Sequence, residues 1–259
     1  MKINRLRRLS QIIALIIHNI GWTIYLKTGI ITPCLYCYAC PLAAFGCPLG
    51  TLQHFIAFHE IPYYWIGTIG LYSTLGGRVY CGWLCPFGAF QDLVRSIGRR
   101  IEVRRLKLRY FIIPSLVLFF SVVALAYVYE DTLFCRVCPS GTLFGLFPYY
   151  LLNPEEPLGF YAYIHILVLA VVVLLTLFID RVWCRYLCPI GIVYGLANKF
   201  SFLTIEFDEN KCTNCGACAN VCPMGLKLPI EAGKSPGCIL CGKCVEICPN
   251  GTIRYRLRK

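Results

Sequence analysis

Acidic side chains are scarce in this chain of 259 residues, where 13 Asp and Glu stand against 25 Lys and Arg. Histidine and methionine are scarcer still, at 4 and 2. Thr28–Gly77 contains no Lys or Arg, and Tyr110–Asp180 contains only Arg136. Phosphate-binding glycine loops, dinucleotide fingerprints and hydrolytic triads are absent too, which removes nucleotide-driven and hydrolytic chemistry from the reading. The net charge of +12 is not laid out as a nucleic-acid-binding face. It gathers beside apolar segments, where Arg and Lys set topology and meet anionic headgroups, so a lipid bilayer and not a nucleic acid is the expected surface.

What is abundant is apolar sequence, 58% of the chain. Four stretches approach the roughly 20 residues needed to span a bilayer: Gln11–Ile30, Ile61–Tyr80, Phe111–Val128 and Phe160–Ile179. The first follows a basic start (Lys2, Arg5, Arg7, Arg8) like that of a signal peptide. Its apolar run continues past His18-Asn19 without a small-residue cleavage site, so it reads as a retained anchor. Arg95, Arg99, Arg100, Arg104, Arg105, Lys107 and Arg109 fill the connection between the second and third stretches. Glu60, Glu130, Asp131, Glu155 and Glu156 lie on the basic-poor connections. The positive-inside rule then predicts an integral membrane protein with both termini cytoplasmic.

The second abundance is cysteine, 18 residues in Cys-x-x-Cys and Cys-x-x-x-Cys groups, a spacing for metal ligation more than for a disulfide framework. An internal repeat organises six of them. Arg78-Val-Tyr-Cys81-Gly-Trp-Leu-Cys85-Pro-Phe-Gly returns as Arg181-Val-Trp-Cys184-Arg-Tyr-Leu-Cys188-Pro-Ile-Gly, and Cys47-Pro-Leu-Gly-Thr-Leu returns as Cys138-Pro-Ser-Gly-Thr-Leu. Repeated membrane units place sites at their mutual interface, so Cys81, Cys85, Cys184 and Cys188 are expected to converge on the inner side as four thiolates for a [4Fe–4S] cluster. On the outer side either the local set Cys34, Cys37, Cys40 and Cys47, or Cys37 and Cys40 with Cys135 and Cys138, is expected to hold metal; a structural disulfide is the alternative there. The connections Thr32–Phe58 and Thr132–Leu152 are apolar enough to be re-entrant.

From Cys212 the chain reads Cys212-x-x-Cys215-x-x-Cys218-x-x-x-Cys222-Pro, and from Cys238 it reads Cys238-x-x-Cys241-x-x-Cys244-x-x-x-Cys248-Pro. This is the bacterial two-cluster run, in which each fourth cysteine serves the other cluster. Cys212, Cys215, Cys218 and Cys248 are therefore assigned to one [4Fe–4S] cluster, and Cys238, Cys241, Cys244 and Cys222 to its partner. Zinc is the rival ligand for such thiols. Gly216 and Gly242 are placed where backbone must turn closely, and Phe202–Phe207 is expected to pair with Thr252–Leu257. His18 and His165 fall within spans, where haem or quinone ligation competes with a plain interhelical hydrogen bond.

The two Cys-x-x-x-Cys-Pro units followed by a double ferredoxin motif resemble the NapH/NosR/CcoG group of membrane polyferredoxins, from about Arg78 onward. That resemblance implies four membrane spans, cytoplasmic clusters and electron exchange between quinol and redox partners. NapH-like members oxidise quinol, and CcoG-like members handle copper. The outer cysteines depart from the NapH pattern, and nothing here forms the flavin domain of NosR-like proteins.

The expected architecture is an α-helical membrane domain over 1–200, with four transmembrane helices, a two-fold repeat and re-entrant outer segments, followed by an α+β two-cluster ferredoxin domain over 201–259. The expected cofactors are two [4Fe–4S] clusters in the second domain and one or two further clusters in the first. No substrate-converting site is visible. The chain reads as an electron-transfer subunit of a membrane oxidoreductase complex, with other subunits and quinone or quinol as partners. A copper reductase or assembly factor, and a membrane redox sensor, are the alternatives.

Overall fold

The computed structural model describes residues 2–21, 27–98 and 112–258. Part of the first expected span, and Arg99, Arg100, Arg104, Arg105, Lys107 and Arg109, lie outside the described residues.

Among the described residues two helices are long and apolar enough to cross a membrane, Ile112–Tyr129 and Phe160–Phe178. The second buries only Ala162, Leu169, Val172 and Thr176, at helical spacing along one stripe. Its other faces are apolar and exposed, with Leu167 and Leu174 pointing outward. The first carries a π-helical stretch, Leu118–Ala124, in mid-course. The helices in the other two expected spans are shorter. Lys2–His18 stops where Asn19 Nδ2 donates to the Leu15 carbonyl at 2.7 Å. Tyr63–Gly76 has 14 residues, hence about 21 Å of helix against a hydrocarbon core of about 30 Å. It ends at Gly77, whose φ of 53° and proximity to Asn198 Oδ1 admit no side chain.

Four further helical segments begin directly after a Cys-Pro step: Pro48–Ala57, Pro86–Ile97, Pro189–Ala197 and the segment opening at Pro139. Proline fits a first helical turn because the N–H it lacks would have no partner there. Cys47, Cys85, Cys138 and Cys188 thereby become N-caps in extended conformation, beside the free N–H groups of a helix start. Two very short helices, Val79–Trp83 and Val182–Tyr186, carry the first cysteine of each inner pair.

The C-terminal part is built around β1 (Leu203–Phe207) and β2 (Ile253–Leu257), antiparallel with Leu203 opposite Leu257 and Phe207 opposite Ile253. This is the pairing expected from their alternation. Gly216 and Gly242 sit at φ 72° and 74°, again as expected, and Asn214 and Leu240 share the positive φ just before the second cysteine of each run. One continuous core joins both parts: Ile69, Phe87, Trp183 and Tyr194 from the helices pack in one cluster with Ile205, Met224, Ile239 and Leu240. No solvent layer separates the ferredoxin-like module from the helices it follows.

Candidate metal centres

The ferredoxin-like run forms two cavities. One is lined by Cys212, Cys215, Cys218 and Cys248; the other is lined by Cys222, Cys238, Cys241 and Cys244. Each combines three cysteines of one run with the fourth of the other, the grouping the motif predicts. In the second set every cysteine lies within electrostatic reach of the other three. Burial pushes the Cys238 thiol up to about 12, so a bound metal would be what strips these thiols of their protons.

The inner quartet also converges. Cys81, Cys85, Cys184 and Cys188 are all buried, and each interacts electrostatically with the other three. Gly88 N donates to Cys85 Sγ at 3.4 Å, and Gln91 Nε2 donates to Cys184 Sγ at 3.1 Å. Burial raises Cys184 although Arg181 opposes the rise. Cys85 differs, drawn below the usual thiol range by the neighbouring Cys34 thiol, which outweighs burial.

The outer cysteines group differently from either expected set. Cys37, Cys47, Cys135 and Cys138 are mutually within electrostatic reach. Cys34 has instead turned toward the inner quartet, against Cys85 and Cys81. Cys40 lies near Cys37 and Tyr36. The reason is the path of the loop: Ile31 bridges to Gly46, and Tyr72 Oη holds the Ile31 carbonyl at 3.0 Å, which draws Cys34 inward to the Tyr80 carbonyl. Cys37 and Cys47 from one repeat thus meet Cys135 and Cys138 from the other, leaving Cys34 and Cys40 outside the four quartets. Among the described residues no three or more His, Cys, Asp or Glu groups are arranged for a single metal ion. Zinc would need sulfurs about 2.3 Å from one centre, an arrangement absent among the described residues.

The arginines in the repeat escaped the sequence reading, although both copies place one three residues before the first cysteine. Arg181 is wholly buried and binds Asp92 through Nε and Nη2 at 2.9 and 2.7 Å; its Nη1 donates to the Cys81 carbonyl at 2.7 Å. Arg78 donates to the Cys184 carbonyl and, at 2.7 Å, to the Pro236 carbonyl. Each arginine therefore grips the cysteine loop of the opposite repeat. Burial alone would raise the Asp92 carboxyl, but Arg181 and Arg7 outweigh it and hold it at about 2. Arg181 lies within electrostatic reach of both Cys184 and Cys241. Three further cations lie next to the cysteine runs in sequence: Lys211 pairs with Asp208 at 3.7 Å on the surface, Lys243 feels Asp92, and Arg185 is buried against Gly225.

Contacts between the module and the inner quartet are direct. Trp83 Nε1 donates to the Leu240 carbonyl at 3.0 Å, and Asn198 Nδ2 to the Cys238 carbonyl at 2.8 Å. Gly82 has no room for a side chain: a Cβ would lie 2.3 Å from the Ile239 carbonyl oxygen. His18 and His165 are engaged in hydrogen bonds, His18 with Ala14 and Thr32 and His165 with Thr142.

The family described as "4Fe-4S binding domain" matches this geometry's sequence over residues 61–105, 111–151 and 161–204, half of the chain. Two further 4Fe-4S binding domains match 204–226 and 237–254. The chain belongs to the 4Fe–4S ferredoxin-type family, NapH-like. Similar proteins include the ferredoxin-type protein NapH of Haemophilus influenzae, 30% identical over 65% of this chain and 56% of its own. The putative electron transport protein YccM of Escherichia coli is 29% identical over 61% of this chain and 44% of its own. The methylamine utilization ferredoxin-type protein MauN of Methylorubrum extorquens is 30% identical over 58% and 49%. The match spans about half the length of these relatives. No solved structure matches. The polyferredoxin thus carries 4Fe–4S binding domains spread from residue 61 to residue 254.

Proposed function

We propose that this polyferredoxin is a membrane-bound electron-transfer subunit in which four thiolate quartets form one line through the molecule. The order is Cys212/Cys215/Cys218/Cys248, then Cys238/Cys241/Cys244/Cys222, then Cys81/Cys85/Cys184/Cys188, then Cys37/Cys47/Cys135/Cys138. The carrying observation is the segment Cys34–Cys37: its first residue touches the inner quartet and its last belongs to the outer one. Three residues span at most about 11 Å, so the two quartets are close neighbours. When bound, [4Fe–4S] clusters supply one-electron transfer. The chain's residues hold spacing and environment. Trp83 and Asn198 seat the ferredoxin-like module on the inner quartet, and Arg181 lends buried positive charge between two thiolate sets. Gln91 and the Gly88 N–H donate to sulfur, a lever on reduction potential.

In this reading Lys2–His18 and Tyr63–Gly76, extended by their flanking turns, complete four crossings with Ile112–Tyr129 and Phe160–Phe178, and both termini face the cytoplasm. Residues 1–200 form the membrane domain and 201–259 the ferredoxin domain. Electrons pass between the cytoplasmic quartets and quinol or further subunits on the membrane side. Iron analysis of anaerobically purified protein tests the line: about sixteen iron per chain is expected, and about twelve for Cys184→Ser with the ferredoxin EPR signals kept. About eight iron in the unaltered protein refutes the membrane-side quartets.

A further inference from the structure

A cleft beside the first helix carries no role in the proposed line of quartets. It has a volume of about 800 Å³ and runs between Lys2–His18, Pro86–Ile97 and Lys243. One end is cationic, lined by Arg7, Arg8, Arg95 and Lys243; the other is apolar, lined by Ile12, Leu15, Leu143 and Phe144. Asp92 and Asp180 also line it, but both are committed: Asp92 to Arg181 and Arg7, Asp180 to Arg95 at 3.2 Å. Arg7 is buried. Its Nη2 meets Asn4 and Asp92, while Nε and Nη1 have no partner among the described groups. Sealed from the cleft itself, the Arg7 guanidinium adds its charge to the positive field of the groove that Arg8 and Lys243 line.

We propose that this cleft holds one anionic phospholipid, its phosphate between Arg8 and Lys243 and its acyl chains along Ile12, Leu15 and Phe144. Polarity falls steadily along one helix, from Asn4 through Arg7, Arg8 and Gln11 to Ile12 and Leu15. That course covers about 16 Å, close to the depth of one leaflet, half of a core about 30 Å thick. The surplus of cations selects a phosphodiester over a neutral headgroup. Pro86 follows Cys85 and Lys243 lies between Cys241 and Cys244, so a lipid seated here would clasp the module to the helices. The inference rests on the membrane placement proposed above.

The test is native mass spectrometry of the full chain extracted in detergent, offered dioleoyl phosphatidylglycerol or dioleoyl phosphatidylcholine. One phosphatidylglycerol is expected to stay bound, roughly tenfold more tightly than phosphatidylcholine. The double substitution Arg8→Gln with Lys243→Gln, at exposed and half-buried positions, should abolish that preference while iron content holds. Equal retention of the two lipids by membrane-extracted protein, or an unchanged preference in the double variant, overturns the inference alone. Displacement of phosphatidylglycerol by a neutral decyl-quinone also overturns it. Recovery of the chain without detergent in the soluble fraction overturns the membrane placement as well.

Discussion

The two copies of the inner repeat do the same thing with their cysteines and different things with everything between them. Cys81 and Cys85 match Cys184 and Cys188 in local structure, each pair spanning a five-residue helix and the N-cap of the next. Yet Gly82 stands where the other copy has Arg185, Trp83 where it has Tyr186, and Gln91 where it has Tyr194. Gly82 and Trp83 face Ile239 and Leu240 of the ferredoxin-like module. Arg185 faces Gly225. A symmetric pair of half-sites has thus accepted a single asymmetric module, and the symmetry is kept only where both halves must supply sulfur.

The same contrast divides the arginines, and the largest expected effect lies there. Arg181 has a buried carboxylate partner, whereas Arg78 has the Cys184 and Pro236 carbonyls and the Cys81 sulfur. Arg181→Gln should destabilise by about 3 kcal/mol because Asp92 loses its two-point partner and keeps Arg7 at 3.2 Å, while Arg78→Gln should cost about 1–2 kcal/mol. Thermal or denaturant unfolding in detergent measures both, and equal losses would dissolve the distinction. Asp92 sets a matching pH dependence. Its carboxyl is held at about 2, below the usual 3.8, so its contribution is complete above about pH 4 and is lost as pH falls through about 2. An acid titration of unfolding should show that loss, and Asp92→Asn should remove its dependence on pH.

Next in size is Gly82→Ala, where overpacking against the Ile239 carbonyl should cost about 1–3 kcal/mol and loosen the module. Faster proteolysis ahead of β1 is the readout; unchanged protection would show that the docking is not as close as drawn. Trp83→Phe, losing one hydrogen bond to Leu240, should cost about 1 kcal/mol. The smallest effect belongs to Tyr194→Phe. Its buried hydroxyl has no hydrogen-bond partner among the described residues, so removing it should be neutral or stabilising by up to about 1 kcal/mol, whereas Gln91→Leu at the equivalent position should shift the midpoint potential of an EPR signal.

Much of this was readable in the linear order of residues. The ferredoxin-like run dictates its own grouping because the spacing of three cysteines within ten residues admits one local loop, and the fourth is fixed by the Pro that follows. The pairing of β1 with β2 followed from alternation over five residues, and the Cys-Pro steps announced helix starts. The outer quartet was not readable. Which of six cysteines meet depends on a loop whose course is set by Tyr72 holding Ile31 and by the Ile31–Gly46 bridge, contacts between residues far apart in sequence. The shortness of Lys2–His18 and Tyr63–Gly76 was hidden for a related reason. Hydropathy averages over a window, and the polar His18-Asn19 pair and the left-handed Gly77 act at single positions.

By itself, then, the order of amino acids determined the ligand type, the two ferredoxin-like quartets and the repeat, since these rest on interactions within a few residues or on copies of one pattern. Tertiary structure alone decided that Cys34 abandons its neighbours, that Arg78 and Arg181 exchange partners across the repeat, and that the module sits on the inner quartet. Those outcomes depend on which buried polar groups find partners once the helices pack, a condition no local pattern encodes.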